Sequence, residues 1–219
     1  MSNKLAVIIG AGPGLGYGLA EKFGSEGFDI ALVARTTSNL EELSSKLSKR
    51  GINVSSYEGD AGSESSMHDA MAKIIDQHGD PELVIYNAAR AEKRSLLKEE
   101  WPRIRETFDV TVGGAFNLIK NMLPAMMSNN RGKLLFTGGG FAIEPDPEFL
   151  SLSMGKAALR NLVYAAHKTA DKSRVHVGMV TVNGFINAGD TKYNPGSIAE
   201  EFWRLYDQEP DGYSAEFLY

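Results

Sequence analysis

The segment Gly10-Ala11-Gly12-Pro13-Gly14-Leu15-Gly16 constrains the fold more than any other part of the chain. It follows a short apolar run directly and opens a stretch of helical period. Backbone N–H groups at a helix start attract anions, and residues without a β-carbon let the chain turn tightly enough to bring them close to a phosphate. A glycine-rich turn alone is weak evidence. Between a buried strand and an amphipathic helix, in a chain that keeps alternating the two, it points to a dinucleotide-binding sheet.

That alternation is present. Apolar runs at residues 5–9, 30–34, 54–57, 83–86, 133–137 and 175–181 are continuous rather than alternating, as expected of strands covered on both faces. Helical periods at 17–25, 40–50, 67–78, 100–127 and 153–170 are long enough for the crossovers that a parallel sheet requires. Asn39 and Ser66 are candidate N-caps, and Gly27, Gly51, Gly79 and Gly132 punctuate helix ends. The expectation is a single-domain α/β Rossmann fold: a doubly wound parallel sheet of six to seven strands with helices on both faces. One domain spans 1–219, with 185–215 as substrate loop and C-terminal region. Within it, 198–206 is amphipathic and 216–219 is a candidate edge strand.

The chain has 219 residues, no cysteine and a formal net charge of −5. It therefore has no disulfide, no thiolate metal site and no basic footprint for nucleic acid. The four histidines are scattered without metal-ligand spacing. No apolar run approaches the ~20 residues of a membrane span, and the N-terminus lacks the pattern of a secretory signal, so a cytoplasmic location is expected.

The second strand ends at Ala34-Arg35, about twenty residues after Gly14. An acidic residue at Ala34 would favour NAD through the ribose hydroxyls, whereas Arg35 suits the 2′-phosphate of NADP(H). Asp60, just after the third strand, is placed to accept a hydrogen bond from the adenine amine.

The glycine spacing, the Asp60 turn, Tyr86-Asn87-Ala88-Ala89 after the fourth strand, and Lys156 together resemble the short-chain dehydrogenase/reductase family, from about Leu5 to Ile186. The resemblance implies that Gly10, Gly12, Gly14, Leu15, Gly16, Arg35, Asp60, Ala61, Asn87, Ala88 and Lys156 bind the cofactor. It also implies a catalytic set of asparagine, serine, tyrosine and lysine. Here those positions read Thr111, either Gly138 or Gly139, Leu152 and Lys156. In a second register, like that of the enoyl-acyl-carrier-protein reductases, the tyrosine lies seven residues before the lysine, at Phe149. Phenylalanine keeps the ring and lacks the hydroxyl. Candidate replacements for the acid are Ser151, Ser153, Thr137, Tyr193, Tyr206, Glu144, Asp146 and Glu148.

Two readings follow. One is an NADP-dependent reductase of an unknown carbonyl or enoyl substrate, with a degenerate site and Lys156 as the surviving catalytic residue. The other is a non-catalytic NADP(H)-binding sensor or partner subunit. The resemblance also implies a homodimer or homotetramer, with Met122, Leu123, Met126, Leu159, Leu162 and Val163 as a candidate face or as core.

Overall fold

A strand that is apolar along its whole length cannot stop at a water-facing layer, and the apolar runs become strands covered above and below. A computed structural model describes residues 4–219. Among them, seven strands form one sheet in the order β3-β2-β1-β4-β5-β6-β7, every pair parallel. They are β1 (Leu5–Ile9), β2 (Asp29–Ala34), β3 (Val54–Glu58), β4 (Leu83–Tyr86), β5 (Lys133–Gly139), β6 (His176–Val182) and β7 (Glu216–Leu218). The expected sheet is borne out, and the candidate edge strand at 216–219 is its seventh member.

Helices α1 (Leu15–Ser25), α2 (Thr37–Ser48) and α7 (Pro195–Tyr206) cover one face, where Leu19, Phe23, Leu40, Leu47, Phe202 and Leu205 are buried. On the other face lie α3 (Glu64–His78), α4 (Trp101–Phe108), α5 (Gly114–Ser128) and α6 (Leu150–Ala170), with Ile74, Leu118, Leu123, Leu159 and Val163 buried. Each such side chain contributes about 1.5–3 kcal/mol. Ile9 lies opposite both Val33 and Tyr86, so β1, β2 and β4 end level with one another. The strand order reverses at β1, and the crevice at that reversal is where ligands of open α/β sheets bind.

Two details differ from expectation, and two open ones are resolved. The N-caps of α2 and α3 are Thr36 and Ser63, three residues earlier than Asn39 and Ser66. Ser63 Oγ accepts from the Ser66 N–H at 3.3 Å, and Ser66 Oγ instead accepts from the Asp60 N–H at 3.0 Å. The segment 100–127 is not one helix: a π-helical turn, Asp109–Gly113, separates α4 from α5. The Tyr86 hydroxyl donates to the Val110 carbonyl there, and Gly114 admits no β-carbon between the Ala61 carbonyl and that hydroxyl. The apolar residues of α5 and α6, expected as either a face or core, are core. Leu123, Met126, Leu159 and Val163 lie in the core, and Met122 and Leu162 pack against it. Finally, the amphipathic segment 198–206 falls in α7, which belongs to the core, while 185–194 and 207–215 on either side of it lie outside helices apart from the short turn at Pro210–Gly212. The glycines at 27, 51, 79 and 132 all have positive φ, as helix ends of this kind require.

β7 pairs over only three residues and is held by a side-chain lock. Glu216 accepts from Arg160 (Nε at 2.9 Å, Nη2 at 2.6 Å), Tyr164 Oη (2.8 Å) and Thr181 Oγ1 (2.6 Å). Burial alone would raise the Glu216 pKa, but these bonds outweigh it and hold the carboxyl below its usual value. A depressed folded-state pKa stabilises above the unfolded value, and that contribution is lost as pH falls through the folded one. Glu216→Gln is therefore expected to lower the urea unfolding free energy by about 2–4 kcal/mol at pH 7. The gap from the parent chain should close at pH values below the parent's folded pKa.

Candidate active site

The crevice at the ends of β1, β2 and β4 holds a cleft of about 590 Å³. It gathers Gly10, Arg35, Asp60, Ala61, Asn87 and Ala88 of the residues expected from sequence. Gly12, Gly14, Leu15, Gly16 and Lys156 are outside its lining. Thr36, Asn39, Arg90, Glu92 and Val110 also line it and were not anticipated, because no motif marks their segments.

The four glycines of the turn serve two different ends. A β-carbon on Gly10, whose φ is +83°, would lie 2.5 Å from the Ala88 nitrogen, and one on Gly16 would lie 2.9 Å from Ala11 Cα. These two are demanded by the protein itself. At Gly12 and Gly14 a β-carbon would meet no protein atom within 4 Å. These two positions are free of packing demands from the described residues. No side chain caps α1 or α2 and neither has an acidic residue in its first turn, whereas Ser63 and Asn194 cap α3 and α7. The Leu15 side chain is buried in the core, leaving its backbone N–H as its contribution to that turn.

Charge in the cleft is similarly divided. Arg90 is neutralised by Glu92 at 2.8 Å and Glu106 at 2.7 Å. Arg35 is exposed and has no ion-pair partner among the described residues. Asp60 Oδ1 accepts from the Gly62 N–H at 2.9 Å. The cleft thus presents one uncommitted cation, and the uncapped glycine turn continues from its wall at Gly10 and Ala11, a combination that suits a phosphorylated ligand.

From the cleft a relay of hydrogen bonds crosses β4 and β5. Asn87 Nδ2 donates to the Gly10 carbonyl at 3.0 Å, and Thr137 Oγ1 donates to Asn87 Oδ1 at 2.9 Å. Lys156 Nζ, from α6, donates to the Thr137 carbonyl at 2.7 Å. Lys156 is buried, and burial lowers its pKa from the ordinary lysine value to about 8. Strand alternation resolves the choice between the two glycines. A β-carbon on Gly138 would collide with Thr181, while one on Gly139 would rest 3.5 Å from Lys156 Cγ. Gly139 is thus the residue that faces the lysine. Thr111 sits in the π turn against Gly155, fully buried, and its hydroxyl has no partner among the described residues.

Most candidate acids are committed elsewhere. Tyr206 accepts from Lys4 at 3.1 Å, next to the start of β1 and thus at the opposite end of the sheet, and packs among Phe23, Phe28 and Trp203. Ser151 donates to Glu99 at 2.6 Å, and Ser153 Oγ donates to the Phe149 carbonyl at 3.0 Å and accepts from the Asp146 N–H at 3.1 Å. Asp146 Oδ1 accepts from the Glu148 N–H at 2.8 Å, while Glu144 and Glu148 are exposed. The Tyr193 ring lies over Gly184, just past β6 and at the same end as Lys156. Phe149 stacks on Phe141 with centroids 5.5 Å apart.

Comparison with known proteins agrees with this geometry. The family model described as short chain dehydrogenase matches residues 4–194. The 3-dehydrosphinganine reductase TSC10A of Arabidopsis thaliana is 27% identical over 184 residues, covering 82% of this chain and 55% of that protein. Estradiol 17-beta-dehydrogenase 11 of Rattus norvegicus is 26% identical over 203 residues, covering 90% of this chain and 66% of that protein. The chain thus spans between half and two thirds of the length of these two relatives. Among solved structures, a short-chain dehydrogenase from Rhodopseudomonas palustris superposes with a TM-score of 0.88 at 21% identity, over 99% of this chain and 97% of the other. A metagenomic short-chain oxidoreductase in complex with NADP gives 0.89 at 21% identity, over 99% and 96%.

Two expectations follow from the site. Gly12→Ala and Gly14→Ala should unfold like the parent chain yet abolish nucleotide binding measured by calorimetry, while Gly10→Ala should destabilise the fold itself by several kcal/mol. Lys156→Met removes an ammonium whose burial opposes folding. Because its folded pKa lies below its unfolded one, the cost is present below pH 8 and fades as pH rises toward 10.5. The variant without ligand should be about 1–3 kcal/mol more stable in urea at pH 7 and should lose the rise in stability between pH 8 and 10.5.

Proposed function

The chain belongs to the short-chain dehydrogenase family, and we propose that it is an NADP(H)-dependent oxidoreductase whose proton-donating groups have been lost. The observation that carries the cofactor reading is Arg35, the uncommitted cation at the end of β2, beside the helix start that Gly12 and Gly14 leave open. In this reading the first turn of α1 holds the pyrophosphate through the backbone of Gly12, Gly14, Leu15 and Gly16. Arg35 meets the 2′-phosphate, Asp60 and Ala61 border the adenine, and Asn87 and Ala88 support the middle of the dinucleotide. When bound, the nucleotide supplies hydride chemistry. The remaining work falls to the chain's own residues.

Lys156 holds the nicotinamide ribose, and its place is fixed by the bond to the Thr137 carbonyl. Leu152 and Phe149 stand where a phenol would protonate the substrate oxygen, and Gly139 and Thr111 stand where serine and asparagine would assist. Two relatives whose names specify reductase and dehydrogenase activity support an enzyme. The concurrent change at Thr111, Gly139 and Leu152 supports a second reading, a non-catalytic NADP(H) sensor. The whole chain acts as one domain, with the loop after β6 over the substrate side.

The test is a calorimetric titration with NADPH and NADH. Arg35→Ala should weaken NADPH binding about 10- to 100-fold, the equivalent of 1.4–2.8 kcal/mol, and leave NADH binding within about twofold. Equal loss for both nucleotides would remove the case for NADP. Tight NADPH binding with no turnover across ketones, enones and quinones would favour the sensor.

A further inference from the structure

Three phenylalanines from three separate segments meet at the end of the sheet that carries Lys156. Phe141 lies in the short turn after β5, Phe149 just before α6, and Phe185 in the loop after β6. Their ring centroids form a triangle with sides of 5.5, 5.9 and 6.0 Å. Phe185 is 70% exposed, and its chain neighbour Ile186 and Ile143, two residues after Phe141, are also exposed. Phe141 and Phe149 are half-buried beside Phe185, and a partly exposed aromatic cluster of this kind is a surface that an apolar ligand can occupy. Such rings attract other flat rings by offset stacking and edge contacts. The serines nearest to them are spent on backbone or carboxylate partners, as described above.

This cluster coincides with the missing acid. Reducing a simple ketone leaves an alkoxide, a strong base that needs a proton donor at the moment it forms. Reducing a quinone leaves a hydroquinone anion, whose charge is spread through an aromatic ring and which takes its proton from water without help. The chain has no cysteine, so it also lacks the thiol that quinones attack most readily.

Resting on the oxidoreductase reading above, we propose that the Phe141–Phe149–Phe185 cluster seats a planar quinone, and that this class of substrate is what a site without a phenol can reduce. The quinone gains two electrons and two protons: the reduced nucleotide provides both electrons and one proton as hydride, and water provides the second proton. Both quinone carbonyls become phenol hydroxyls, and the nicotinamide is oxidised.

The probe is a dimethylnaphthoquinone, substituted at both free ring carbons so that it cannot arylate an amine. Its counterpart is tetralone, a ketone of the same bicyclic shape. Binding of each is measured by calorimetry with and without oxidised NADP, and turnover by NADPH consumption. The quinone should bind and be reduced at least about a hundredfold faster than tetralone, the lower end of what a general acid contributes. Phe149→Leu and Phe185→Ala should each weaken quinone binding about tenfold and leave nucleotide binding unchanged. Phe185 is exposed, so its removal leaves the fold intact. Equal rates for tetralone would show that an acid is present and overturn the proposal. So would unchanged quinone affinity in both variants, or absence of quinone binding in protein that binds NADPH. If NADPH itself fails to bind, the oxidoreductase reading fails, and quinone binding to the nucleotide-free protein then decides the aromatic seat alone.

Discussion

The structure depends on the approach of β1 to β4 at Gly10. A β-carbon there would stand 2.5 Å from the Ala88 nitrogen, so the two strand ends can meet only because Gly10 has none. That contact puts the Gly10 carbonyl within reach of Asn87, which engages Thr137, whose carbonyl in turn receives Lys156. The Gly10 and Ala11 N–H groups both donate to the Val33 carbonyl at the end of β2, at 2.9 and 3.1 Å. One missing side chain thus aligns the ends of four strands and fixes a lysine on the far helix. The crevice follows from that alignment and from the strand order, which sends neighbouring connections to opposite faces.

The fold was legible because a buried parallel sheet writes a coarse signal: apolar runs with glycine-ended helices between them. The strands 5–9 and 83–86 appear with the boundaries their composition announces. What composition could not place were features set by tertiary contacts. The N-caps of α2 and α3 fall three residues before Asn39 and Ser66, because Ser66 is occupied by the Asp60 backbone and Asn39 turns into the cleft. The π turn leaves no trace in periodicity, and the Val110 carbonyl within it accepts from a tyrosine hydroxyl of β4, a contact that no local pattern announces.

The site was legible in part, for similar reasons. Glycines and Arg35 announce themselves by motif, but nothing local distinguishes the steric demand at Gly10 and Gly16 from the open space at Gly12 and Gly14. That difference exists only once β4 is in place. The choice between Gly138 and Gly139 was already within reach of strand alternation, given that α6 lies on one face. Tyr206 was misleading because an amphipathic helix near a substrate loop looks the same whether its aromatic faces the site or the core. Here it faces the core.

The loop between β6 and α7 is pinned at both ends to parts of the molecule that cannot yield. At its start the Tyr193 ring fills the space beside Gly184, and at its end Pro195 presses on Gly18 of α1, where even a β-carbon would lie 2.8 Å from its carbonyl. Between these anchors, residues 185–192 are partly or fully exposed and contribute nothing to either core cluster. The interval is nevertheless tied down by its own hydrogen bonds: Asp190 Oδ1 accepts from the Lys192 and Tyr193 N–H groups at 2.7 and 2.8 Å, and the Tyr219 hydroxyl donates to the Lys192 carbonyl at 2.9 Å, so the C-terminal residue of the chain braces the loop over the site.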